Sequence, residues 1–132
     1  MTRYYLGPRH ARREEMLGHK ADLERLGHTV HGRWLTEPYP ATEVQILIDH
    51  VLGGELANDD LRDICKADTF VAFTELPGVE PNRGGRHVEF GIAIAREMTL
   101  AVVGPRENVF HCLPGVKVYA NWAEYLAEVA GG

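Results

Sequence analysis

Apolar and polar positions change period several times along the chain, and each change marks an element. Arg3-Tyr4-Tyr5-Leu6 is a short aromatic run stopped by Gly7-Pro8, which predicts a first strand ending in a tight turn. From about Arg12 the period lengthens: Met16, Leu17, Ala21, Leu23 and Leu26 recur every three or four residues, and Gly27 supplies a helix stop. Thr29 to Leu35 alternates, with Val30 and Trp34 opposite His31 and Arg33, so a second strand is predicted up to the break at 37–40. Thr42 with Gln45 has the spacing of a capping box. Val44, Leu47, Ile48, Val51 and Leu52 then follow a helical period as far as Gly53-Gly54, although the run from Val44 to Ile48 alone also suits a strand.

A further helix is predicted from about Glu55 to Ala67, with Ala57, Leu61, Ile64 and Cys65 on one face. Thr69 to Thr74 is continuously β-branched, aromatic or small, as in a strand buried on both faces. A loop rich in Pro and Gly, 75–85, leads into a helix whose stripe is Val88, Gly91, Ile92 and Ala95. Thr99 to Gly104 reads as another buried strand and Val116 to Tyr119 as the last, before a C-terminal helix capped by Asn121. No repeat or linker interrupts the 132 residues, so one domain spanning 1–132 is predicted. Strands alternating with helices indicate a five-stranded, mainly parallel α/β sheet covered on both faces, and ligands of such sheets sit beyond the carboxyl ends of the strands.

Composition and charge narrow the function. A formal net charge of -5 argues against a nucleic acid polymer as partner, because that surface needs a net basic face. No apolar run approaches the roughly 20 residues of a membrane span and no signal-peptide pattern opens the chain, so a cytoplasmic protein without membrane contact is expected. Cys65 and Cys112 lie in apolar segments and are expected to be free, buried thiols.

Glu89, just past Gly84-Gly85 and between Arg83, Arg86 and the following helix, is the first chemical candidate. If that helix begins near Gly85 or Arg86, Glu89 falls in its first turn, where the dipole favours an ionised carboxylate and hence a nucleophile; helix-end decoration explains the same spacing. Asp60 borders the buried face of the preceding helix, where it could equally serve as part of an acidic first turn. Tyr4 lies on the first strand, where simple packing is the competing reading. Arg83, Gly84, Gly85 and Arg86 bring cations and backbone N–H groups to a helix N-terminus, suited to an oxyanion, and the arginines of Gly7 to Arg13 point the same way. His87-Val88-Glu89 with His111-Cys112 lacks the second downstream cysteine of a zinc deaminase, and no other histidines pair convincingly, so neither metal nor cofactor is expected.

Taken together, "YYLGP", "DDLRDICKADTFVAFTE" and "RGGRHVEFGIAIA" followed by "TLAVVGP" resemble the nucleoside 2-deoxyribosyltransferase-like family, which includes the 2'-deoxynucleoside 5'-monophosphate N-hydrolases. The resemblance implies a flavodoxin-like (Rossmann-like) sandwich and a homodimer or higher homo-oligomer. It implies a glycosyl-enzyme intermediate on Glu89, proton transfer to and from the base by Asp60, and orientation of nucleophile or sugar by Tyr4, placed by its spacing to Gly7. Substrate contacts are implied at Gly7 and at the loop holding Arg83, Gly84, Gly85 and Arg86, where monophosphate-cleaving members often have Ser. Asn108 is the implied contribution to a neighbouring subunit's site. The substrate would be a small nucleoside or nucleotide. Transfer and hydrolysis remain equally open, and a non-catalytic nucleotide or nucleotide-sugar sensor is the alternative.

Overall fold

In the computed structural model, which describes residues 1–37, 42–78 and 84–131, one five-stranded sheet carries the chain. Its strands are β1 (Arg3–Gly7), β2 (Thr29–His31), β3 (Thr69–Phe73), β4 (Thr99–Val103) and β5 (Val116–Tyr119). They lie in the order β2-β1-β3-β4-β5, and every neighbouring pair is parallel, so the sheet is wholly rather than mainly parallel. The helices are α1 (Arg13–Arg25), α2 (Arg33–Thr36), α3 (Glu43–Ile48), α4 (His50–Lys66), α5 (Gly85–Ala95) and α6 (Trp122–Gly131). Chain direction across the sheet reverses between β1 and β3, which makes their carboxyl ends the natural ligand crevice.

The two faces of the sheet are covered differently. On one, α1 and α6 enclose Tyr4, Leu6 and Phe73; His19 of α1 stacks on Trp122 of α6 at 4.2 Å between centroids, and the Tyr125 hydroxyl donates to that of Tyr4 at 3.2 Å. On the other, α4 and α5 pack over Tyr5 and Phe70, whose rings stack at 5.4 Å, and Phe90 of α5 meets Phe70 edge-on at 5.9 Å. Wholly buried β3 is the hub, as its unbroken apolar sequence implies.

Several local expectations differ from the structure. The second strand ends at His31, because Gly32 turns at φ 133° and the next four residues coil into α2. The capping box at Thr42 forms, with Thr42 Oγ1 accepting from the Gln45 N–H at 3.2 Å and Gln45 Oε1 from the Thr42 N–H at 2.8 Å, but its helix stops at Asp49. Asp49 then caps a new helix, accepting from the Leu52 N–H, and α4 runs straight through Gly53-Gly54. Gly53 fits the junction: a Cβ there would sit 3.1 Å from the Ile46 carbonyl oxygen, a tight contact, so the glycine eases the approach of α3 and α4.

On α5 the buried residues are Arg86, Phe90 and Ala93; of the expected stripe Ile92 packs against the core, whereas Val88 is 65% exposed and Gly91 and Ala95 are exposed too. Both cysteines are free but exposed rather than buried, Cys65 on the outer side of α4 and Cys112 at the end of the 3-10 turn Val109–Cys112.

Candidate active site

A cavity of about 840 Å³ opens at the switch point, over the carboxyl end of β1. Its floor is Tyr5. One wall comes from α4, with Leu56, Ala57, Asp60, Leu61 and Ile64; the opposite wall comes from the start of α5, with Gly84, Gly85, Arg86, Val88 and Glu89. Glu89 and Asp60, the two expected carboxylates, are therefore brought together on one cavity. The third member of the group is Tyr5: its hydroxyl donates to Glu89 Oε2 at 2.7 Å, across 84 residues of sequence.

Burial makes Glu89 unusual. Protein atoms crowd its carboxyl, and this desolvation pushes its pKa up to about 7. The Tyr5 hydrogen bond opposes the shift, while the nearby Asp60 charge adds to it. The helix dipole does less than the sequence implied, because α5 starts at Gly85 with Gly84 as its cap, which leaves Glu89 beyond the first turn. The carboxyl, part-buried at the edge of the cavity, is thus poised near neutrality by desolvation and one hydrogen bond. Such values are typical of groups that alternate between charged and neutral states in a reaction.

Tyr4 is not part of this group. Successive strand residues face opposite sides of a sheet, and Tyr4 points to the α1/α6 side, where it accepts from Tyr125 and packs edge-on against His28. The tyrosine that meets Glu89 is its neighbour, Tyr5. Gly7 has a packing role: a Cβ would come within 2.4 Å of the Phe70 ring, the same ring that supports Tyr5. Gly7 does not line the cavity among the described residues.

The cations are largely matched by carboxylates. Arg86, 8% exposed, gives both terminal nitrogens to Glu107, at 2.5 and 2.6 Å, so its charge is committed within the protein. Its Nε finds no partner among the described residues. Glu107 also accepts from the Glu75 N–H at 3.1 Å, while its own N–H donates to buried His111 Nδ1 at 2.9 Å. Arg9, on the cavity rim, pairs with Glu75 at 2.9 Å. Arg13 also lines the cavity; its Nε donates to the Trp34 carbonyl at 3.1 Å, and its ion pair is a long 3.7 Å contact with exposed Glu14. Gly84, at φ 84°, and Gly85 open the N-terminal turn of α5 onto the cavity. Arg83 lies outside the described residues. Asn108 is away from the cavity lining: its Oδ1 accepts from the Phe110 N–H at 3.0 Å, and its amide nitrogen lies 3.3 Å from His87 Nδ1.

Sequence reasoning pointed to the arginines of Gly7 to Arg13, of which Arg9 and Arg13 line the cavity, but missed Tyr5, His10, Trp34 and Glu107 as constituents of the site or its support. The resemblance placed the site tyrosine at Tyr4 by its spacing to Gly7, and nothing in the sequence says which face of β1 is covered by α5. The Arg86–Glu107 pairing spans 21 residues and carries no local signal. Among the described residues no cluster of His, Cys, Asp or Glu could hold a metal ion, and no helix is long and apolar enough to cross a membrane.

No protein-family model matches the chain, and no curated protein sequence matches it significantly. A solved structure does: the CMP N-glycosidase BcmB of Clostridium botulinum superimposes with a TM-score of 0.59 at 22% identity, over 96% of this chain and 97% of that one. The chain therefore has the fold of that enzyme, over essentially its whole length.

Proposed function

We propose that this protein breaks the N-glycosidic bond of a nucleotide or nucleoside, with Glu89 as nucleophile. The observation that carries the reading is the Glu89 carboxyl, desolvated, held at 2.7 Å by the Tyr5 hydroxyl, and facing a second carboxylate, Asp60, across one cavity. A shared fold with a CMP N-glycosidase supports it.

The chemistry follows from those groups. Ionised Glu89 attacks the anomeric carbon, the bond from that carbon to the base nitrogen breaks, and its electron pair leaves with the base. Asp60, holding the proton that Glu89 gives up on ionising, supplies it to the departing base. Water, giving its proton back to Asp60, then attacks the same carbon and releases the sugar from Glu89, so one water is consumed for each base freed. With another base in place of water the same intermediate gives exchange. Tyr5 fixes the carboxylate oxygen it touches and leaves the other free to attack. A 5'-phosphate is placed at the N-terminal turn of α5, where Gly84 and Gly85 line the cavity that Arg13 also lines.

Chromatography of reactions with ribo- and deoxyribonucleosides and their 5'-monophosphates, with and without an added base, tests the reading. Free base without an acceptor identifies a hydrolase, and product only with an acceptor a transferase. Glu89→Ala is expected to lose roughly a thousandfold or more in rate, as when other covalent nucleophiles are removed. If the wild type and Glu89→Ala are equally inactive yet bind nucleotides equally, the site is a sensor and the catalytic reading is wrong.

A further inference from the structure

The cavity has two chemically different walls, and the proposed reaction assigns each a part of the substrate. Sugar must lie against Glu89 and α5, whereas the leaving base must lie toward Asp60 and α4. Trp34 closes the cavity on that second side, only 7% exposed, with the His10 ring 5.6 Å away. We propose that Trp34 is the base-recognition residue, an indole wall against which the nucleobase packs; the inference rests on the N-glycosidase reading above.

The case is the way the indole is held. Gly32 turns the chain at φ 133° immediately before it, and a Cβ on Gly32 would lie 3.3 Å from the indole nitrogen. Arg13 Nε bonds the Trp34 carbonyl at 3.1 Å. Asp63 of α4, 2% exposed, accepts from the Arg33 N–H at 2.8 Å and from the Arg33 guanidinium at 3.3 and 3.2 Å, while Asp59 pairs with the same guanidinium at 3.1 Å.

A carboxylate buried this far contributes little net stability through its ion pair, and its best-attested use is to fix register. Here it joins two specific elements. Asp63 is one turn beyond Asp60 on α4, and Arg33 adjoins Trp34 on α2, so the clamp sets the indole's position relative to the group proposed to protonate the base. A rigid aromatic wall with few rotamers loses little entropy when a flat base meets it.

Titration of intrinsic fluorescence in the Glu89→Gln background, where ligand is not consumed, separates the outcomes. Adenosine and cytidine 5'-monophosphates and their free bases are expected to quench Trp34 emission, and ribose 5-phosphate is not; the quench is expected to vanish in Trp34→Phe. In the otherwise wild-type enzyme, Trp34→Ala is expected to raise KM for the nucleotide roughly 5- to 100-fold, the range of a lost base stack, while inhibition by ribose 5-phosphate changes less than about twofold. Should the Trp34 variants fail to fold, Trp122→Phe leaves Trp34 as the sole tryptophan and the same titration applies. A nucleotide that binds by equilibrium dialysis without quenching, or a quench as large with ribose 5-phosphate, overturns the base-wall role and leaves the N-glycosidase reading standing. Absence of any nucleotide or base binding overturns both.

Discussion

At the scale of single residues, two adjacent tyrosines serve opposite faces of the sheet, Tyr5 meeting Glu89 and Tyr4 meeting Tyr125. Tyr5 donates the hydrogen bond that lowers the Glu89 pKa against burial, so removing its hydroxyl should leave the carboxyl protonated to higher pH. Tyr5→Phe is expected to cut kcat/KM at pH 7 by roughly 10- to 100-fold, the worth of a hydrogen bond to a charged group, and to move the rising limb of the pH–rate profile toward alkaline values. Tyr4→Phe breaks only the contact with Tyr125 on the far face and should cost about 1 kcal/mol of stability with kcat/KM unchanged. Paired pH–rate profiles of the two variants check this.

Glu89 also has a signature in stability. With a folded pKa of about 7 against 4.5 unfolded, the folded state holds the extra proton between those values. Its contribution is therefore fully present below pH 4.5 and lost as pH rises through about 7, a change of roughly 3 kcal/mol. Glu89→Gln should accordingly stabilise the protein in urea melts at pH 8 by an amount of that order, and have little effect near pH 4.5. Equal effects at both values would mean that the carboxyl is not desolvated.

Among the elements, the legible ones were those whose signal is local. Continuous apolar runs in β3 and β4 announced a parallel sheet, and the Thr42/Gln45 capping box formed as its spacing implied. Gly53-Gly54 misled because a helix stop and a close helix–helix approach both use glycine, and only the position of Ile46 tells them apart. Trp34 misled because alternation around it imitates a strand, whereas the bonds from Arg33 to Asp63, 30 residues away, draw the segment into α2. Gly7 is the element-level test. Its Cβ would collide with Phe70, so Gly7→Ala should destabilise the fold by about 1–3 kcal/mol, an overpacking cost, and weaken catalysis through a displaced Tyr5. Urea unfolding beside steady-state kinetics would show both losses; loss of stability alone would detach Gly7 from the site.

For the molecule as a whole, charge pairing explains why an acidic protein gathers arginines around its crevice. Glu75 and Glu107 match Arg9 and Arg86, while Glu15 joins Arg12. The sequence showed the cations as a cluster but could not show which carboxylates would meet them. Those pairings set the response to acid. Burial holds His31, His87 and His111 below their ordinary 6.5, so the unfolded chain takes up more protons and stability falls as pH drops through that region. Arg12 holds Glu15 below 4.5; burial works against the same effect at Glu107, but Arg86 and the Glu75 N–H outweigh it, so further stability goes as pH falls below 4.5. Thermal melts of Glu89→Gln, free of the opposing Glu89 titration, are expected to show a monotonic decline from pH 7 to 4; a flat profile would contradict the histidine assignments.

Bond cleavage through Glu89 is the central prediction for the molecule. Acid quenching during turnover of a 2'-fluorinated nucleoside 5'-monophosphate, followed by peptide mass mapping, addresses it most directly. The expected result is a sugar phosphate ester on Glu89, present in the wild type and absent from Glu89→Gln. Undiminished base release by Glu89→Gln, or an adduct on another residue, would contradict it.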